Sequence, residues 1–141
     1  MTKPSLLFDA CSILMLVREL KGEASDKLVE GSTISLVYYE LGNALWRECF
    51  LLKRISQEEA RTLLRSMYAI VGQMELLSLG DEDEANAILD LACNHSLTFY
   101  DSAYLSQAIK SNKTLVTEDK KLSKAAEKAG VKTLTSTTFL H

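Results

Sequence analysis

"LTFYDSAYLSQAIKSNKTLVTEDKKL", Leu97 to Leu122, switches twice between two backbone periods. Leu97 to Tyr100 is a short apolar run of strand character, and Ser102 to Ile109 keeps helical spacing. Thr114 to Thr117 is strand-like again, and Lys120 opens a helix to Ala129 that Gly130 ends. Val131 to Leu134 reads as a further strand. Strands alternating with helices in this way predict an α/β fold, with a central, mainly parallel sheet covered by helices on both faces.

The first half extends the pattern. Ser5 to Phe8 predicts a buried strand, and from Ser12 the residues Ile13, Leu14, Leu16, Val17 and Leu20 follow helical spacing to a stop at Gly22. A short helix over Ala24 to Val29 ends near Gly31, and Thr33 to Ser35 is a brief strand. Val37, Leu41, Ala44, Leu45, Cys49 and Leu52 trace one helix before the basic pair Lys53 and Arg54. Ser56 with Glu59 is a capping box, opening a helix whose apolar stripe runs from Ala60 to Met74. Glu75 to Leu79 is a strand, and Asp81 to Ala92 a helix with an acidic start.

No change of composition divides the 141 residues, so one domain over 1–141 is expected. Hydrophobic residues are 47% and charged residues 25%, enough apolar material for a sizeable core. A net charge of -3 and an isoelectric point near 5.4 disfavour nucleic-acid binding by bulk charge. Both leave open a grip on phosphate through a metal ion or a local basic patch. Cys11, Cys49 and Cys93 are widely spaced, and only His95 and His141 could join a zinc site, so buried free thiols are expected. No stretch has the form of a signal peptide or of a membrane span, which predicts a cytoplasmic protein without a membrane partner.

Three aspartates stand where a predicted strand gives way to a helix: Asp9 in "LLFD", Asp101 in "LTFYD" and Asp119 in "LVTED". In a parallel sheet such positions share the carboxyl edge of the strands, where ligands bind. Glu40, in "SLVYYELGNAL", sits one turn into a helix after another predicted strand. Each aspartate is also a good N-cap, and a cap alone needs no further function. Carboxylates gathered at one edge, however, repel one another and call for a hard divalent cation, Mg²⁺ or Mn²⁺. Such an ion supports attack of a bound water on a phosphodiester, without histidine or a serine nucleophile. The denser run Asp81 to Glu84 is the contrasting case, a solvated first helical turn that stays outside the cluster.

"LLFDACSIL", "SLVYYELGNAL", "LTFYDSAYLSQAI" and "LVTEDKKL", in this order, resemble the PIN-domain ribonucleases, and most closely the VapC-like toxins of toxin–antitoxin pairs. The resemblance implies a three-layer α/β/α sandwich and a Mg²⁺- or Mn²⁺-dependent endoribonuclease. Its acidic residues map to Asp9, Glu40, Asp101 and Asp119. Asp9 and Asp101 would be the principal metal ligands; Asp119 and Glu40 would complete the cluster and orient the attacking water. Thr117 and Asn43 match supporting polar positions. A homodimer silenced by a small antitoxin is implied as well. The family often carries serine two residues after the first aspartate; here that residue is Cys11, and Ser12 follows it.

Candidate phosphate contacts are Arg18 and Lys21 on the first helix and Lys120, Lys121 and Lys124 on the last. Tyr38, Tyr39, Tyr100 and Tyr104 are expected to pack in the core around the site, with stacking on an unpaired base as the alternative. Competing functions are a non-catalytic α/β binding module whose acids only cap helices, a PIN nuclease acting in RNA processing, and a metal-dependent phosphatase or DNase sharing the same ligands.

Overall fold

A computed structural model describes residues 5–140; His141, one of the two histidines considered as zinc donors, lies outside them. Five strands form one parallel sheet in the order β3-β2-β1-β4-β5. The strands are β1 (Leu6–Phe8), β2 (Ser32–Ile34), β3 (Glu75–Leu77), β4 (Thr114–Val116) and β5 (Thr133–Leu134). Chain order reverses between the two central strands, β1 and β4, which pair Leu6 with Thr114 and Phe8 with Val116. Such a reversal opens a crevice beyond the carboxyl ends of the strands.

Alternation along the central strands builds the two cores. Phe8 and Val116 face one side, with α1 (Ala10–Leu20), α2 (Ala24–Leu28), α3 (Val37–Trp46) and α4 (Gln57–Val71). Leu7, Ile34 and Leu115 face the other, with α6 (Phe99–Lys110) and α7 (Lys120–Lys128), and Leu91 of α5 (Glu82–His95) at their margin. The result is the expected three-layer α/β/α arrangement. Gly130, with φ +83°, ends α7 as predicted, and the Ser56–Glu59 capping box is formed in both directions.

The opening stretch departs from its reading at one place. Leu97 to Tyr100 is not a strand: Thr98 is the N-cap of α6, accepting a hydrogen bond from Asp101 N at 3.0 Å. The chain leaves α5 through Ser96 in the left-handed region and turns directly into α6, so the crossover from β3 to β4 contains two helices. A local apolar run becomes a strand only when a neighbouring strand pairs with it, and here Phe99 and Tyr100 remain exposed.

Smaller differences have similar causes. The helix predicted to Leu52 changes at Arg47 into a π-helical turn, Arg47–Leu51, closed by Leu52 N donating to Arg47 O at 2.8 Å. The final short helix α8 (Ser136–Leu140) was not anticipated; Phe139 packs edge-on against Phe8, with ring centroids 5.3 Å apart. The thiols are free but not buried as expected. Cys11 and Cys93 are exposed and Cys49 half-buried, because each lies off the helix stripe that faces the sheet. Among the described residues no helix is long and apolar enough to cross a membrane.

Candidate active site

Asp9 directly follows β1 and is the N-cap of α1, its Oδ1 accepting from Ser12 N at 2.9 Å. Ser12 Oγ, also buried, lies 2.8 Å from the same oxygen and 2.9 Å from Val116 O. The other oxygen, Oδ2, accepts from Thr117 Oγ1 at 2.5 Å. Thr117 follows β4, and its hydroxyl oxygen accepts in turn from Asp119 N at 3.1 Å. Asp119 is the N-cap of α7, with Oδ1 accepting from Leu122 N at 3.0 Å. The two central strands thus deliver Asp9, Thr117 and Asp119 to one edge, tied by hydrogen bonds across the point where strand order reverses.

Glu40 and Asp101 arrive from helices. Glu40, in the first turn of α3, is half-buried and accepts from the phenol of Tyr104 at 2.6 Å. Tyr104 belongs to α6 on the opposite layer, so this bond bridges the layers over the sheet edge. Asp101 occupies the first turn of α6 rather than the end of a strand. It reaches the edge because its helix starts there.

The electrostatics record the convergence. Burial raises the pKa of Asp9, opposed by hydrogen bonds from Thr117 and Ser12 and reinforced by the charge of Asp119. Glu40 is raised by burial, opposed by the Tyr104 hydrogen bond and reinforced by Asp101 and Asp9. Asp101 is raised by burial and then by Asp119 and Asp9, with Thr98 and the nearby Lys121 acting against the shift. The Cys11 residue is exposed, but its thiol lies against the cleft wall, where partial desolvation and then all four acids push it up to about 11. A thiol held neutral in this way is neither a nucleophile nor a ready soft-metal ligand at neutral pH. Ser12, not Cys11, supplies the hydroxyl beside Asp9.

The donors fit a hard divalent cation in kind: carboxylate oxygens whose charges strain against one another and lack cationic partners of equal number. They do not form a closed cage, since among the described residues no three His, Cys, Asp or Glu side chains group closely enough to chelate one ion. The arrangement suits a hard divalent cation held by one or two carboxylates, with waters bridging to the others. The Ser102 hydroxyl, next in sequence to Asp101, is buried without a hydrogen-bond partner among the described residues.

The remaining candidates divide. Asn43 lines the same cleft as Glu40 and Cys11, a cavity of about 840 Å³. Arg18 also lines it but is ion-paired with Glu48 at 2.6 Å. Lys120 and Lys121 are exposed at the start of α7. Two further cations of the cleft, Arg47 and Arg54, lie outside the expected phosphate contacts. The spacing Glu40, Asn43, Arg47 (i, i+3, i+7) on one helix face was the signal available for Arg47. Tyr38 and Tyr104 pack inward as expected, Tyr104 being 1% exposed; Tyr39 and Tyr100, at 80% and 59%, do not.

Thr117 supports two acids at once, so Thr117→Val is expected to leave a buried Asp9 oxygen and the Asp119 N–H unpaired. A loss of about 1–3 kcal/mol is expected in urea denaturation, with a further rise in the Asp9 pKa. A stability equal to wild type would show that water replaces both bonds.

Known proteins resemble this chain in the same terms. Exonuclease VapC9 of Pyrobaculum aerophilum is 33% identical over 89 residues, 63% of this chain and 62% of that protein, so the match spans less than two thirds of its length. Ribonuclease VapC3 of the same organism is 29% identical over 124 residues, 83% of this chain and 91% of that protein. The crystal structure of PAE2754, also from P. aerophilum, superposes with a TM-score of 0.79 at 23% identity, covering 97% of this chain and 93% of that one. A toxin–antitoxin complex from Klebsiella pneumoniae superposes with a TM-score of 0.59 at 16% identity, covering 84% and 90%. The PIN domain family matches residues 6–128. With a parallel sheet in the order 3-2-1-4-5 and an acidic edge at its reversal, the chain belongs to the PIN-domain family.

Proposed function

We propose that residues 1–141 act as a single divalent-metal-dependent endoribonuclease domain in the cytoplasm, working as the toxin of a toxin–antitoxin pair. The observation that carries the reading is the hydrogen-bonded acidic edge, where Thr117 ties Asp9 to Asp119 and Tyr104 holds Glu40, with the charges of Asp9 and Asp119 felt at Asp101. Caps alone do not account for it: Asp9 and Asp119 cap helices, but Glu40 and Asp101 do not. The names Exonuclease VapC9 and Ribonuclease VapC3 both support a nuclease, and the second supports RNA as the substrate. The toxin–antitoxin complex among the structural neighbours supports a small antitoxin as partner; a homodimer is part of the proposal as what the family resemblance implies.

Asp9 and Asp101 would hold the ion, Mg²⁺ or Mn²⁺, with Asp119 and Glu40 holding its waters. When bound, such an ion supplies an activated water and neutralises the leaving oxygen. Ser12 and Thr117 keep the Asp9 carboxylate in one orientation, and Tyr104 does so for Glu40. Glu40, together with Asp119, would orient the attacking water. Lys120, Lys121, Arg47 and Arg54 offer positive charge to the RNA backbone, whose phosphates carry no sequence information. Arg18 joins them only by leaving Glu48, to which it is ion-paired at 2.6 Å.

Purified protein with single-stranded RNA and Mn²⁺ tests the reading. Internal cuts leaving a 5′-phosphate and a 3′-hydroxyl are expected, with activity lost in EDTA and restored by added Mn²⁺. A 2′,3′-cyclic phosphate, or cleavage unaffected by EDTA, would overturn it.

A further inference from the structure

Beside the acid cleft lies a second cavity of about 300 Å³, at the lower end of the range for small-molecule sites (about 300–1,000 Å³). Ile34, Leu79, Ile88 and Phe99 form apolar walls. Leu36, Tyr39 and Tyr100 line both this cavity and the acid cleft, so the two adjoin. Tyr39 and Tyr100 are the chain neighbours of Glu40 and Asp101 and are largely exposed, an unusual place for two large rings. The buried amide of Gln107 also lines the cavity. It lies six residues beyond Asp101 on α6, about 9 Å along the helix axis. Its Nε2 donates to Ser78 O at 3.2 Å; a primary amide has a second N–H and an acceptor oxygen besides.

We propose that this cavity is a nucleobase subsite, receiving one unpaired base beside the bond that is cut. The proposal rests on the endoribonuclease reading and adds a base-reading element to it. The base stacks on Tyr39 and Tyr100, and the Gln107 amide meets its edge. Apolar walls around a single buried amide suit a flat heteroaromatic ring with donors and acceptors on its rim. The volume holds one such ring and is too small for a helix of a partner protein. Aromatic stacking binds any base, whereas an amide pairing with a base edge distinguishes among them. Sequence-specific recognition of RNA generally works in this way on unpaired bases. The acid cleft and its arginines would hold the backbone, leaving the choice of base to this pocket.

The test uses labelled RNA octamers of A, C or U and an octamer of abasic ribose-phosphate. Binding is followed by fluorescence anisotropy in EDTA at low ionic strength, and cleavage in Mn²⁺. Wild type is expected to bind one homopolymer about tenfold or more above the abasic chain. Tyr100→Ala should shrink that ratio towards one, and Gln107→Ala should reduce the spread among the three bases by about tenfold. Ala103→Leu, which fills the cavity without removing a contact, should do both. Equal binding of abasic and base-bearing chains by wild type overturns the proposal. So does a base preference unchanged in Ala103→Leu while light scattering shows an altered oligomeric state, which would make the cavity a protein interface. Base-dependent binding without cleavage in Mn²⁺ would uphold the subsite and refute the nuclease reading; cleavage without base dependence would do the reverse.

Discussion

Asp101→Asn is expected to lower Mn²⁺-dependent RNA cleavage by at least about 100-fold while the protein folds and melts at or above the wild-type temperature. The expectation of lost activity follows from the place of Asp101 as a proposed principal ligand. The expectation of retained stability follows from its surroundings. The start of α6 is capped by Thr98, which accepts from Asp101 N, and that bond does not involve the carboxylate. An asparagine side chain can still accept a hydrogen bond from the Thr98 hydroxyl. The charge removed is one that burial, Asp119 and Asp9 all disfavour. Activity falling while stability holds or rises is the signature of a site that trades stability for function. A purely structural carboxylate would show the opposite pair of results. The measurements are initial cleavage rates, thermal melts of the metal-free protein and calorimetric titration with Mn²⁺. Cleavage within a few-fold of wild type would remove Asp101 from the site.

The second large effect is on the pH dependence of stability, which the metal ion should reverse. Asp9, Glu40 and Asp101 all bind protons more tightly in the folded protein than their ordinary values of 3.8, 4.5 and 3.8. Above those ordinary values the folded state therefore holds more protons than the unfolded chain. Stability falls with rising pH until the raised folded values are passed. In EDTA, the contribution of these three acids should thus decline from about pH 4 towards neutrality. The Cys11 thiol adds a second decline between its ordinary 9.0 and its folded value of about 11. Bound Mg²⁺ or Mn²⁺ favours the charged carboxylates and inverts the first decline, since binding the folded state alone stabilises it. Other acids titrate in the same range, so the informative quantity is wild type minus Asp9→Asn. Asparagine keeps the cap on Ser12 N without the charge. Urea unfolding at pH 5 and pH 8, with EDTA and with Mg²⁺, reads it directly. A difference that grows with pH in EDTA in favour of wild type would contradict the proposed charge cluster.

Legibility varied with the kind of information each residue carries. Helices announced by a cap and a stripe, such as α4 after Ser56 and α7 after Asp119, were read correctly, because capping and periodicity are local. "LTFY" reads as a strand but opens a helix, because strand and helix start share the same short apolar composition. The deciding bond, Thr98 to Asp101 N, spans only three residues but is visible only once the backbone has turned. Hydrophobicity predicts Tyr39 and Tyr100 inward, yet both are exposed and line two cavities that no linear pattern encodes. Arg47 carried a usable signal in its spacing from Glu40; Arg54, beyond the π-helical turn, carried none. The π turn alters the side-chain register after Trp46.

By itself the sequence determined the alternation of strand and helix, the parallel sheet and the acids at helix starts. These follow from hydrophobic period and capping, which act within a few residues. The tertiary structure alone decided which acids face one another. Thr117 reaches Asp9 across 108 residues of chain, and Tyr104 reaches Glu40 across 64. Those bonds exist because β1 and β4 are sheet neighbours and because α3 and α6, from opposite layers, meet over their edge. The opening stretch holds Asp101, Tyr104 and Thr117 within one short span. What each of them touches is set by the packing of elements far away in sequence, since hydrogen bonds and charges depend on distance through space and not along the chain.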